Sequence, residues 1–103
     1  MKFMITGKPK AGIAIPPEQA VQLGQAQHQF VKAQLESGAL DAFYNVVPTG
    51  GVAIANADSA EAVMEAIVRY PGSALMEWDV KMLYTLEEGY RIFQIRLSQA
   101  RNG

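Results

Sequence analysis

The chain contains no cysteine among its 103 residues. That absence excludes disulfides, a thiolate zinc site and a cysteine nucleophile. Histidine occurs once, at His28, so a His-rich metal centre is also excluded and no metal is expected. Lysine and arginine total 9 against 10 acids, and no basic run exists. The phosphate-neutralising footprint of a nucleic-acid binder is therefore missing, and no nucleic-acid partner is expected. No long apolar run exists either. Met1 to Gly7 is too short for a signal peptide or a membrane span, so no membrane partner is expected and the cytoplasm is the default address. Gly7-Lys8-Pro9-Lys10-Ala11-Gly12 lacks the Gly-Lys-Ser/Thr end of a phosphate loop, and no Gly-x-Ser-x-Gly occurs.

What is present describes one globular domain over residues 1–103. Half the residues are apolar and 18% are charged, which suits a packed core and not a disordered chain. The first strand is predicted over about Lys2–Thr6. Its end is set by Gly7 to Gly12, whose glycines and prolines block regular structure. Pro16-Pro17-Glu18 opens a helix expected from Pro17 to Ser37, because proline fits a first turn whose N–H groups lack partners. Gly38 is its stop. At 100° per residue Ala20, Leu23, Gly24, Phe30, Val31 and Leu35 share one face. Gln27 and Gln34 interrupt that face, and His28 stands at its edge.

Leu40–Val47 and Gly51–Ala57 read as the two strands of a hairpin closed by Pro48-Thr49-Gly50-Gly51. Asp58-Ser59-Ala60-Glu61 reads as a capped helix start, with Asp58 as the cap. Pro71-Gly72 ends that helix. Ala74–Leu83 alternates strongly, with Met76, Trp78, Val80 and Met82 on one face and Glu77, Asp79 and Lys81 on the other. From Thr85 onward strand formers compete with a capping box and a stripe of Leu86, Tyr90, Phe93 and Leu97; the stripe and the box favour a helix. The order is βαββαβ plus a terminal helix, the ferredoxin-like α+β arrangement with a four-stranded antiparallel sheet.

Two helices cover only one face of such a sheet. The uncovered face is expected to carry Glu77, Asp79 and Lys81 beside a ridge of Ala53, Ala55 and Ala57. Small residues there would let the sheet of a second copy approach, giving a dimeric barrel.

These segments together resemble the muconolactone isomerase-like branch of the dimeric α/β-barrel superfamily. The resemblance spans about Ala20 to Leu83. It rests on Leu35-Glu36-Ser37-Gly38 leading to a strand with Tyr44, on Gly50-Gly51, on Asp58 to Val63, and on Tyr70-Pro71 with Glu77 to Leu83. It implies a cofactor-free protein that forms homodimers or higher rings and acts on a small organic molecule. In the isomerases it implies a proton shift on an unsaturated lactone. Aligned this way, Gln27 stands where the isomerase helix has a carboxylate, and His28 falls on a neighbouring basic position. An amide cannot take a proton from carbon, so the isomerase reaction itself is not carried over.

The candidate chemistry is then as follows. His28 carries the chain's one imidazole and suits a general base, or is a helix residue at the core margin. Gln27 and Gln34 would bind a substrate oxygen, or satisfy sheet backbone. Tyr44 and Trp78 would line the pocket beneath the first helix, or simply pack. Asp41, Glu77 and Asp79 are the remaining acids, either enclosed or at a wet rim. The functional expectation is isomerase, cyclase or cofactor-free oxygenase chemistry by proton transfer in an apolar pocket. The alternative is a non-catalytic binding or assembly module on the same fold.

Overall fold

Side-chain alternation decides which face of each strand is buried, and the pairing register carries that choice across the sheet. In the computed structural model, which describes residues 1–102, the elements are β1 (Lys2–Pro9), α1 (Pro17–Ser37), β2 (Leu40–Asn45), β3 (Gly51–Asn56), α2 (Ala60–Arg69), a 3-10 turn (Ser73–Leu75), β4 (Met76–Leu83) and α3 (Leu86–Asn102). The sheet is antiparallel throughout, in the order β2-β3-β1-β4. Phe3 lies opposite Ala55 and Met82, and Ile5 opposite Ala53 and Val80, so these six share the inner face. The core forms where Phe3, Ile5, Ala53 and Ala55 meet Val63 and Ile67 of α2.

The expected element order and the span of α1 are observed. Gly38 closes α1 with φ of 83°, a left-handed turn that glycine adopts without strain. The helical reading of the C-terminal segment is also observed. Thr85 Oγ1 accepts from the Glu88 N–H at 3.1 Å, and Glu88 Oε1 accepts from the Thr85 N–H at 3.0 Å, completing the capping box.

Four expectations are corrected. β1 continues through Gly7 and Lys8 to Pro9, paired with β4 as far as Met76. β3 pairs only up to Gly7, so Pro9 lies where one side of β1 is free, and a strand tolerates proline there. Ser59, not Asp58, caps α2: its hydroxyl accepts from the Ala62 N–H at 3.1 Å. The strands β2 and β3 end at Asn45 and Asn56, and β4 begins at Met76 after the 3-10 turn. Lastly, Ala53 and Ala55 are buried on the helix side, and Ala57 packs against the same core. The uncovered face instead carries Met4, Thr6, Val52 and Ile54 beside Glu77, Asp79 and Lys81.

One end of the sheet is tied by side chains. Lys2 pairs with Asp41 and donates to Asn56 Oδ1 at 2.9 Å; Asn56 Nδ2 donates to Asp41 Oδ1 at 2.6 Å and to the Gly38 carbonyl at 3.1 Å. The hydrogen bond from Lys2, then that from Asn56, holds the Asp41 carboxyl below its ordinary pKa. A depressed folded-state pKa stabilises the fold above the unfolded value, and that gain disappears as pH falls through the folded value. We therefore expect Asp41→Asn to flatten the acid limb of the stability profile. Thermal melts from about pH 6 to 2 should show native and variant converging toward the acid end; a constant gap would contradict the linkage.

Candidate active site

Toward the C-terminal end of β1, the inner face of the two central strands carries almost no side-chain bulk. Gly7 and Gly51 lie opposite each other, followed by Ala53 and Ala55. The vacated space is taken by aromatic rings from the edge strands. A Cβ placed on Gly7 would lie 2.7 Å from Trp78 Cζ3, and one on Gly51 would lie 2.8 Å from Phe43 Cζ. Both rings thus lean over glycines, and only glycine permits this approach. Trp78 is fixed further by donating Nε1–H to the Ser73 carbonyl at 3.0 Å.

Tyr70, just beyond α2, stands edge-on to Trp78 with centroids 5.4 Å apart and planes at 89°. Phe30 of α1 meets Tyr70 in the same way, at 5.6 Å and 86°. Perpendicular rings place a positive edge against a negative face, which favours this chain of contacts. The result is an aromatic wall rising from the sheet to the helix. α1 forms the roof with Leu23, Gln27, Val31 and Gln34, none of them fully buried.

Between floor and roof is a hollow of about 620 Å³. Its lining is apolar apart from a few groups. Gln27 Nε2 donates to the Pro71 carbonyl at 3.0 Å, leaving Oε1 as an acceptor. The Gln34 amide and the Tyr70 hydroxyl have no hydrogen-bond partner among the described residues and border the hollow. Burial pushes the Tyr70 pKa up, which keeps the hydroxyl protonated and able to donate. The charged lining residues are Lys10 toward the β1 C-terminal end and Asp58 toward the other.

Of the sequence-predicted residues, Gln27, Gln34 and Trp78 line this one space. His28 lies outside it, exposed, in a side recess with Lys32. That recess shares Gln27, Val31, Phe43, Asn45 and Tyr70 with the main hollow, so His28 stands at a side entrance. Tyr44 is not beneath α1. It pairs with Val52 on the uncovered face and is 68% exposed. A bulge between Leu40 and Ala42 is the reason: it inserts one residue, so Leu40 and Phe43, rather than Leu40 and Tyr44, face the helices. The acids are outside as well. Asp41 is held by Lys2, Glu77 lies 3.7 Å from Lys8 and Asp79 lies 3.3 Å from Lys81.

Tyr70 and Phe43 are the site residues that sequence reasoning missed. In the sequence Tyr70 is simply the residue before the expected helix stop. Its one available signal was the following Pro71-Gly72, which turns the chain so that the ring swings under α1 instead of continuing α2.

Comparison with known structures decides the fold. A crystal structure of muconolactone isomerase superposes with a TM-score of 0.74 at 17% identity, covering 82% of this chain and 90% of that one. The chain has the muconolactone isomerase fold. The 5-chloro-2-hydroxyhydroquinone dehydrochlorinase TftG from Burkholderia phenoliruptrix, solved in complex with 2,5-dihydroxybenzoquinone, matches with a TM-score of 0.67 at 15% identity, covering 84% and 97%. No family model matches the sequence, and no curated protein matches it. The ferredoxin-like α+β fold is therefore established at the level of structure. No helix among the described residues is long and apolar enough to cross a membrane.

Proposed function

We propose that this protein binds a small oxygenated ring compound in the hollow beneath α1 and moves a proton on it, without a cofactor. The observation that carries the reading is a set of polar groups with spare hydrogen-bonding capacity on an otherwise apolar lining. These are Gln34, Gln27 Oε1 and the Tyr70 hydroxyl. Polar groups of this kind in an apolar hollow orient a ligand. Both structural neighbours are enzymes by name, and one holds a dihydroxybenzoquinone, a ring with oxygens at its rim. In this chain the amides would hold such oxygens, Tyr70 would donate to the one gaining negative charge, and Trp78 would support the ring. His28, at the side entrance, carries the one imidazole there, and it would be the base.

A second reading, a binding module without turnover, is favoured by one specific observation: His28 lies outside the main hollow. Deuterium exchange separates the two. In D₂O, a proton-transfer enzyme replaces a ligand C–H with deuterium, visible by proton NMR. We expect exchange with native protein and a loss of about 100-fold or more in His28→Ala. Undiminished exchange in the variant removes His28 from the mechanism. Ligand binding without exchange in native protein favours the binding module.

The working unit is proposed to be a homodimer. The uncovered sheet face offers Met4, Val52, Ile54 and Leu83, all half-buried. Every residue of α3 among the described residues is exposed except Glu88, which is half-buried. The helix makes the molecule 64 Å long, with a radius of gyration of 17.6 Å where a compact chain of this length has about 13 Å. Leu86, Tyr90, Phe93 and Leu97 form a stripe along it, with Leu86 90% exposed and the Tyr90 and Phe93 rings stacked 6.2 Å apart. Beyond Glu88 it carries Arg91, Arg96 and Arg101 and no acid. The outer side of α2 offers exposed Met64 and Val68 beside Glu61 and Glu65. Apolar and charged groups on the two helices are thus complementary, and each copy carries both halves of the contact.

A further inference from the structure

We infer that the ligand is a flat, fused-ring compound of about three rings, uncharged over its central ring and oxygenated toward both ends. The inference rests on the proposed ligand site and specifies its ligand. Three features of the hollow set it.

The first is spacing. Gln27 and Gln34 are seven residues apart on the roof helix, so they lie on one face separated by about 10 Å along its axis. A single six-membered ring reaches one of these amides but not both. A linear three-ring frame is close to the required length, with a carbonyl or phenol at each end to meet an amide.

The second is shape and surface. The rings of Phe43 and Trp78 lean over the glycine pair, and Tyr70 and Phe30 close one side. An aromatic enclosure of this kind favours stacked or edge-on rings in the ligand. At about 620 Å³ the hollow is in the range of sites for drug-sized ligands, well beyond the bulk of a monocyclic quinone.

The third is charge. Lys10 and Asp58 are the charged lining residues, and they belong to opposite ends of β1. A carboxylate or ammonium on the central ring would have no counter-charge and would be costly to desolvate. Neutral carbonyl and hydroxyl oxygens match Gln27 Oε1, the Gln34 amide and the Tyr70 hydroxyl in hydrogen-bond type.

The experiment is a calorimetric titration of the protein at about pH 6 with three neutral probes that carry a hydroxyl at each end: hydroquinone, 2,6-dihydroxynaphthalene and 2,6-dihydroxyanthraquinone. Quenching of Trp78, the only tryptophan, provides a second readout. We expect the dissociation constant to fall by about tenfold or more from one ring to three. We expect Gln34→Leu to weaken the three-ring probe about 5- to 10-fold while changing the one-ring probe less than about twofold. If the one-ring probe binds as tightly as the three-ring probe, or Gln34→Leu affects both equally, the fused-ring inference is overturned while the ligand site stands. If no probe binds, both fall.

Discussion

Replacing Ala53 with leucine is expected to close the hollow and remove ligand binding while the chain stays folded. Ala53 lies at the centre of the floor, on β3, opposite Ile5 on one side and Phe43 on the other. It lines the hollow on the inner face, and the next inner-face residues along β3 are Gly51 and Ala55. A leucine here enters existing space, so it does not face the usual cost of overpacking a filled core. It gains apolar burial at about 25 cal/mol per Å², and the melting temperature should hold or rise. A ligand must then displace that side chain, at about 1–3 kcal/mol, which weakens binding about 5- to 150-fold. Calorimetry with the tightest of the three ring probes measures the loss, and a thermal melt verifies folding. Native affinity in the variant would show that ligands bind elsewhere.

The second large effect concerns α3. Tyr90 is 60% exposed and Phe93 56% exposed, and they form a stacked pair on a helix that buries none of its described residues. Buried aromatic anchors at an interface each contribute about 2 kcal/mol or more, and a symmetric contact counts each one twice. Changing both to serine should weaken dimerisation by several orders of magnitude. Sedimentation at micromolar concentration should give twice the 11.2 kDa chain mass for the native protein and a single chain for Tyr90→Ser/Phe93→Ser. The capping box at Thr85 and Glu88 is untouched, so helicity should largely remain. A native protein that sediments as one chain, or a double variant that sediments as two, would contradict the exchange of α3 between copies.

The elements were legible because local chemistry agreed with the final fold at most boundaries. Gly38 needed a left-handed turn, Pro17 suited a first turn, and Thr85 with Glu88 formed a reciprocal cap. The β4 pattern gave its inner face directly, since Trp78 and Val80 alternate with charges. The faces of β2 and β3 were less legible. Alanine is compatible with either side of a sheet, so Ala53 and Ala55 carry no facing signal of their own. Their burial follows from pairing with Phe3 and Ile5, a long-range choice. In β2 a single bulge reverses the phase, bringing Phe43 inward and Tyr44 outward. The two roof amides were visible from helical spacing alone. The hollow was not, because it arises from small residues on different strands that become neighbours only when the sheet assembles. The same is true of Tyr70, whose position depends on its edge contacts with Phe30 and Trp78.

The most direct measurement is a crystal structure of the native protein with no ligand added. We expect the space bounded by Trp78, Tyr70, Phe43 and Gln34 to remain open, holding solvent or a molecule carried through purification. Leu23 and Val31 packed down onto Ala53 and Ala55, with no space left between α1 and the sheet, would contradict it.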